Sequence, residues 1–337
     1  MSITAKELAK KLNLSGAAVS MALNNKPGVS PETRIKVCEA AQKYGYDFSK
    51  IKDKIELKKD YKLIYFIIFK RYGAVVSDTP FFSKLTESIY ENCRKANLTL
   101  RMRYVYDYDH FDQIIAELKG DECKGIVLLG TEISQPELNS FVNAQIPLVV
   151  LDTYFDTIAC DYVLINNQQG VHLATQTLIR KYGNHIGYLA SSYPIVNYQQ
   201  RAKSFYNTIG EHGFSPKQIL LHKLTPSLDG AYLDMRALLE VGEPIAKAYF
   251  ADNDLIAYGA IKAFQDFGYK IPEDIGIIGF DDIPMCKYSN PPLSTIHVNI
   301  RVLTKLAIQR LQEIMNGDAS YCTKSEVNTT FISRNSL

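Results

Sequence analysis

Residues able to do covalent chemistry are spread through this 337-residue chain without forming a catalytic pattern. The histidines His110, His172, His185, His212, His222 and His297 have no metal-ligand spacing, and none sits in an H-E-x-x-H run. Cys38, Cys93, Cys123, Cys160, Cys286 and Cys322 include no C-x-x-C pair. Scattered thiols of this kind read as free side chains in a reducing compartment. There is no G-x-S-x-G elbow and no P-loop, and the run from Gly125 to Gly130 reads as a strand rather than a dinucleotide loop. The chain is therefore not expected to be an enzyme, to bind a metal or to carry a cofactor.

The polar chemistry that does cluster lies at the N-terminus. Residues 1–60 hold 12 Lys and Arg against 7 Asp and Glu, whereas the whole chain is nearly balanced at +2. A basic head on a mildly acidic body fits a nucleic-acid-binding arm. Thr4 with Glu7 forms a capping-box pattern that starts a first helix carrying Leu8 and Leu12 on its inner face. Asn13-Leu14 is a tight turn, and Ser15 caps a second helix from Gly16 to Leu23. Ser30-Pro31-Glu32 opens a third that Gly45 ends. Leu8, Leu12, Leu14, Val19, Leu23, Val29, Ile35 and Cys38 are expected to form its core. That leaves Gly16, Ala17, Ser20, Met21 and Asn24 as the outer face of helix two. Helix, short turn and helix is the geometry that lays a second helix in the DNA major groove.

Beyond Tyr61 the pattern alternates. Apolar strands at 63–69, 98–104, 125–129, 147–151, 185–189, 218–221, 248–250 and 275–280 are separated by amphipathic helices. Uniformly apolar strands between such helices imply parallel sheets covered on both faces. The fold class is α/β: a three-helix helix-turn-helix headpiece (1–46), a lysine-rich linker (47–60) and a core (61–337) of two interleaved, doubly wound subdomains. No apolar run is long enough to span a membrane, and Met1 to Asn13 has no secretory apolar region, so the cytoplasm is expected.

Particular residues sharpen this. The run from Ile3 to Ala9, then Leu14-Ser15-Gly16-Ala17-Ala18-Val19-Ser20-Met21-Ala22-Leu23-Asn24, Val29 to Arg34 and Tyr44-Gly45-Tyr46 resemble the headpiece of the LacI/GalR family of transcriptional regulators. The resemblance continues through Pro80-Phe81-Phe82, Ile146 to Asp152, Arg201, Asn253 to Ala260, Ile271 to Asp282, Pro291 to Ile296 and Arg334-Asn335-Ser336. It implies a periplasmic-binding-protein-like core, a homodimer on a palindromic, double-stranded operator, and a small sugar-like effector held between the subdomains. By position, Gly16, Ala17 and Met21 take base-reading places, and Thr4, Ser15, Ser20, Asn24, Ser30 and Thr33 join the DNA-facing set. Gly16, Ala17 and Met21 carry no polar base-reading group, so apolar contacts, backbone and shape must supply more of the specificity. In the linker, Asp47-Phe48-Ser49 departs from the family pattern, and Ile55 takes the place of a minor-groove wedge.

In the core the resemblance implies Arg201 as a fork donor to the effector and Asp281 as an acceptor. Phe82, and less strongly Phe81, offer a ring face. Asn253 is either ligand contact or helix cap, Asp152 and Tyr193 are weaker candidates, and Asp282 is structural. The chain stops at Leu337, right after Arg334-Asn335-Ser336, so a dimer is expected rather than a tetramer. The rival readings are a periplasmic sugar-binding protein, against which residues 1–46 speak, and a regulator whose co-effector is a protein such as a phosphocarrier.

Overall fold

The computed structural model describes residues 3–24, 26, 28–46, 62–73, 75–76, 79–318 and 320–337. The linker 47–60 and the wedge expectation at Ile55 lie outside the described residues. The chain divides into two compact units, Met1–Tyr61 and Lys62–Leu337, and each is described by itself.

The first unit holds α1 (Ala5–Leu12), α2 (Gly16–Leu23) and α3 (Pro31–Lys43). The capping box forms: the Glu7 amide donates to Thr4 Oγ1 (3.3 Å), and the Thr4 amide and hydroxyl both donate to Glu7 Oε2 (2.8 Å each). Asn13 closes α1 in the left-handed conformation, which Asn tolerates better than most residues. Leu8, Ala9, Val19, Ala22, Leu23, Val37, Ala40 and Ala41 are the buried core, with Leu12, Leu14 and Val29 packed against it. Two expectations fail here. Ile35 is 59% exposed and Cys38 is exposed as well. The inward stripe of α3 runs through Val37, Ala40 and Ala41, two residues out of phase with Ile35 and Cys38; small alanines set that face because the three helices approach closely.

The second unit contains two six-stranded sheets. The first has the order β11-β5-β4-β3-β1-β2, all parallel, from β1 (Lys62–Lys70), β2 (Leu98–Tyr106), β3 (Gly125–Leu129), β4 (Leu148–Leu151), β5 (Asp161–Ile165) and β11 (Lys324–Val327). The second has the order β12-β10-β9-β8-β6-β7, from β6 (Ile186–Ser191), β7 (Leu220–Leu224), β8 (Ala248–Ala251), β9 (Gly276–Asp281), β10 (Ser294–His297) and β12 (Thr330–Ile332). Only β12 runs antiparallel in it. The helices are α4 (Pro80–Lys95), α5 (Phe111–Gly120), α6 (Gln135–Asn143), α7 (Asn167–Tyr182), α8 (Val196–Glu211), α9 (Leu228–Glu240), α10 (Asp254–Asp266) and α11 (Ile300–Asn316).

The chain passes between the sheets three times, after β5, after β10 and after β11. Three strand-like crossovers make a hinge between two lobes, with the carboxyl ends of the strands facing the crevice. The central strands are buried on both faces: every residue of β3, β4, β5 and β8 is buried. The sequence pattern missed β5, β10, β11 and β12. Lys324-Ser325-Glu326-Val327 is too polar to read as a strand, and it forms one because it completes the edge beside β5. The strand expected at 218–221 starts later, at Leu220, because Ser215-Pro216 first nucleates a short 3₁₀ turn.

Candidate functional site

In the first unit, α2 presents Gly16, Ala17 and Ser20 to solvent. Ser15 caps it, its hydroxyl accepting from the Ala18 amide at 3.0 Å while keeping its own proton for a further acceptor. Met21 is half-buried, with its sulfur close against Gly28, a positive-φ residue whose missing side chain makes room for it. Asn24 turns its amide back onto the Ser20 carbonyl (2.8 Å) and hydroxyl (3.3 Å), closing the helix. Ser30 and Thr33 share a hydroxyl contact of 2.9 Å at the start of α3. Arg34 donates to the Lys26 carbonyl at 2.7 Å, tying the turn after α2 to α3. Thr4 is exposed but fully engaged in its capping box. The DNA-facing candidates therefore lie at helix starts (Thr4, Ser15, Ser30, Thr33), on the exposed start of α2 with Ser20, at the half-buried Met21, and at the end of α2 (Asn24).

In the second unit, Arg201, Asp152, Asn253, Asp281, Phe81 and Phe82 converge on one cavity between the lobes, together with Thr79, Thr131, Asn197 and Tyr198. Its walls lie close together and leave a cavity of only about 20 Å³. Most polar members stand at or near an element's end, with Arg201 in the second turn of α8. Asp152 follows β4 and Asp281 ends β9, and both hold positive φ, 67° and 115°. Backbone held there in residues with a side chain costs on the order of 1–3 kcal/mol, a cost that marks positions retained for what they contact. Arg201 is 3% exposed on α8. Its Nε donates to Asn167 Oδ1 (2.9 Å), its Nη1 to the Asp252 carbonyl, and its Nη2 lies 3.6 Å from Asp281 Oδ1. The guanidinium also sits 3.6 Å over the Phe280 ring, which favours a buried cation.

The carboxylates are held by neutral donors. Asp152 accepts from Thr131 Oγ1 (2.6 Å) and Asn197 Nδ2 (2.8 Å). Asp252 accepts from the Tyr188 hydroxyl (2.5 Å) and the Ser191 amide (2.6 Å). Asn253 is a helix cap, its Oδ1 accepting from the Ile256 amide (2.8 Å), and its Nδ2 donates to Tyr198 Oη (3.2 Å) on the cavity wall. Asp254 braces the floor, accepting from Thr295 Oγ1 (2.6 Å) and the Ile283 amide (2.9 Å). A Cβ at Gly279 would lie 2.2 Å from its Oδ1, so only glycine fits there. Thr79 Oγ1, buried, has no hydrogen-bond partner among the described residues and lines the cavity.

Burial dominates the titration of these acids. It raises Asp152, raises Asp252 and Asp254 to about 6, and raises Asp281 well above the usual carboxylate range, with Arg201 opposing it at Asp152, Asp252 and Asp281. Asp282 goes the other way. Burial opposes ionisation there too, but hydrogen bonds from His297 (2.9 Å) and Arg334 (2.6 Å) hold it below its ordinary value. These contacts tie it to β10 and to the C-terminal segment. A folded-state pKa of about 6 for Asp252, against about 3.9 unfolded, means the folded chain binds this proton more tightly. The stability it contributes is complete below about pH 4 and is lost as pH rises through about 6. The wild-type chain should thus lose about 1.4 kcal/mol more than Asp252→Asn between pH 5 and 7.5. Chemical denaturation of both at the two pH values checks this; equal losses would show that Asp252 is ionised throughout.

Tyr193 stands outside the cavity lining and packs on Tyr72 of the opposite lobe, ring centroids 4.7 Å apart. Sequence reasoning missed Thr79, Thr131, Asn167, Asn197, Tyr198 and Asp252. Two of these were within reach: Asn197 lies one helical turn before Arg201, and Asp252 directly precedes Asn253.

A two-lobed α/β sensor core with its polar groups turned into a hinged crevice, in one chain with a helix-turn-helix unit, defines a ligand-responsive DNA-binding regulator. Residues 175–337 match the family model of the periplasmic binding protein-like domain. Over most of its length the chain is similar to curated regulators. It is 28% identical to the HTH-type transcriptional regulator GalS of Salmonella typhimurium, over 95% of this chain and 93% of that one. It is 28% identical to the ribose operon repressor of Haemophilus influenzae (95% and 94%) and 27% identical to the HTH-type transcriptional repressor PurR of Aliivibrio salmonicida (92% and 91%). Among solved structures it shares its fold with a complex of the transcriptional regulator CelR with cellobiose (TM-score 0.74, 19% identity, 99% and 100% covered). It shares it equally with the lac repressor dimer bound to operator and an anti-inducer (TM-score 0.74, 18% identity, 100% and 99% covered). These curated relatives are all named transcriptional regulators or repressors, and the chain is similar to them over more than nine-tenths of its length.

Proposed function

We propose that this protein is a transcriptional repressor whose first unit binds operator DNA and whose crevice binds a small, uncharged, polyhydroxylated effector. The DNA contacts fall to Thr4, Ser15, Gly16, Ala17, Ser20, Met21, Asn24, Ser30 and Thr33, with phosphates met at helix starts and bases met by the exposed face of α2. It works as a homodimer, two copies matching the two halves of a palindromic operator. A DNA-binding role places it with the chromosome in the cytoplasm; no helix among the described residues is long and apolar enough to cross a membrane.

The observation that carries the effector class is the charge of the crevice. Asp152, Asp252 and Asp281 crowd one guanidinium, that of Arg201. An anionic ligand would have to compete with these three acids for the one cation they share. Hydroxyl groups instead donate to Asp152 and Asp281, accept from Arg201 and Thr79, and leave C–H faces for Phe81 and Phe82. Reports of cellobiose and ribose in solved structures of the same fold support a sugar. The close walls mean that a sugar-sized ligand enters as the lobes part about the three crossovers, and this changes the lobe geometry.

Thermal-shift measurements on the full chain test the class directly, since a ligand that binds only the folded state raises its melting temperature. Neutral mono- and disaccharides, sugar acids, sugar phosphates and purines form the panel. A shift of several degrees from a neutral sugar is the expected result. Shifts confined to the phosphates or sugar acids would overturn the charge argument.

A further inference from the structure

We propose that Cys160 and Cys322 are a thiol pair that closes to a reversible intrachain disulfide, a modification site at the foot of the first sheet, away from the crevice. The register of β11 on β5 carries the inference. Lys324 lies opposite Tyr162, and the Tyr162 amide donates to the Thr323 carbonyl at 2.8 Å. One step back, Thr323 faces Asp161: its amide and its hydroxyl both donate to Asp161 Oδ1, at 2.8 and 2.9 Å. A further step along the same parallel register sets Cys322 opposite Cys160. Successive side chains alternate between faces, so the two thiols share the face that Asp161 and Thr323 do not use. Both thiols line the same open depression, with Ile146, Pro147 and Ile314.

The backbone geometry suits a bond. Adjacent strands run about 4.8 Å apart, inside the roughly 4.4–6.8 Å span between Cα atoms that a disulfide bridges. The segment is also held in place. Arg310 on α11 donates to Asp161 Oδ1 at 2.7 Å and to the Tyr321 carbonyl, fixing the approach to Cys322 from both sides. Both sulfurs are free thiols in this structure. Cys322 is exposed and Cys160 is 8% exposed, which divides their roles. Burial raises both thiols, Cys160 to about 12, so this is a slow exchange site rather than a fast peroxide sensor.

With a low-molecular-weight disulfide as oxidant, the accessible Cys322 thiolate attacks one sulfur of that disulfide. A mixed disulfide forms and one small thiolate leaves. Cys160, losing its proton to solvent, then attacks Cys322 Sγ, forms the 160–322 bond and expels the second small thiolate. Two protein thiols are oxidised and one small disulfide is reduced to two thiols. The product would staple β11 to β5, a strand on either side of two of the lobe crossovers.

The test is peptide mass spectrometry, without reduction, on the reduced full-length chain treated at pH 8.5 with oxidised glutathione. The expected product is a single cross-link joining the peptides of Cys160 and Cys322, reversed by dithiothreitol. Cys322→Ser, at an exposed position that leaves packing unchanged, should abolish it, and Cys160→Ser should trap glutathione on Cys322. Lasting glutathione on Cys322 of the unmutated chain without the cross-link would overturn the proposal. So would a cross-link to any other cysteine, or one that forms only in denaturant.

Discussion

Operator affinity should fall about a thousandfold when monovalent salt rises from 50 to 200 mM. The reasoning starts from the charge distribution: the head is basic and the rest of the chain is not. The α1 lysines Lys6, Lys10 and Lys11 and the turn residue Lys26 are exposed beside the DNA-facing set. Three phosphates neutralised per headpiece, in a dimer, would give a log–log slope of roughly −5, at about −0.9 per phosphate. The slope should be shared by unrelated duplexes, because phosphate contacts carry no sequence. Under the proposed function, specific discrimination should rest instead on Ala17, Met21 and the groove shape, since α2 offers apolar groups where polar base-reading side chains would stand. Fluorescence anisotropy on a selected operator and on a scrambled duplex measures both quantities. Lys6→Ala should lower the slope by close to two in the dimer and weaken both duplexes alike. Met21→Ala should weaken only the selected operator. A flat salt dependence would remove the DNA-binding assignment.

Arg201→Lys should abolish most of the effector response while leaving operator binding intact. Arg201 is the cation shared by Asp252 and Asp281, and its fork holds Asn167 and the Asp252 carbonyl at once. Lysine keeps the charge but not the planar fork, so the ligand loses a charge-assisted, directional partner. That loss is roughly 1.5–3 kcal/mol, ten- to a hundredfold in affinity. Arg201→Ala goes further. It leaves buried carboxylates without their counter-charge, and breaking a buried pair by removing one partner costs about 3–5 kcal/mol. The alanine variant should therefore melt lower even without effector. Calorimetry with the sugar found by thermal shift reads the affinity, and anisotropy reads the operator. Unchanged sugar affinity in the lysine variant would show that the guanidinium serves only to hold the lobes.

Much of this was legible before any fold was seen. The capping box of Thr4 and Glu7, the Ser15 cap and the Pro31 start are local signals, and each helix of the first unit begins where they say. Strands such as β3 and β4 announce themselves because a strand buried on both faces must be apolar throughout. Arg201, Asp281, Asn253, Asp152, Phe81 and Phe82 were recognisable from family-like runs, and all of them meet at one cavity.

What local pattern could not supply was anything decided by a distant neighbour. Ile35 and Cys38 look like core on hydrophobicity alone, yet the packing of three close helices chose Val37, Ala40 and Ala41. Lys324 to Val327 is a strand because β5 offers an unpaired edge, not because its residues prefer one. Tyr193 left the cavity for Tyr72, a residue 121 positions earlier, and Thr131 and Asp252 entered the site from separate lobes. Composition and short motifs determine the elements and the class of regulator, because caps and periodicity act within a few residues. The crevice's charge, its proton affinity and the facing of Cys160 on Cys322 arise only when strands far apart in sequence are brought side by side, since electrostatic and register effects depend on distance in space rather than along the chain.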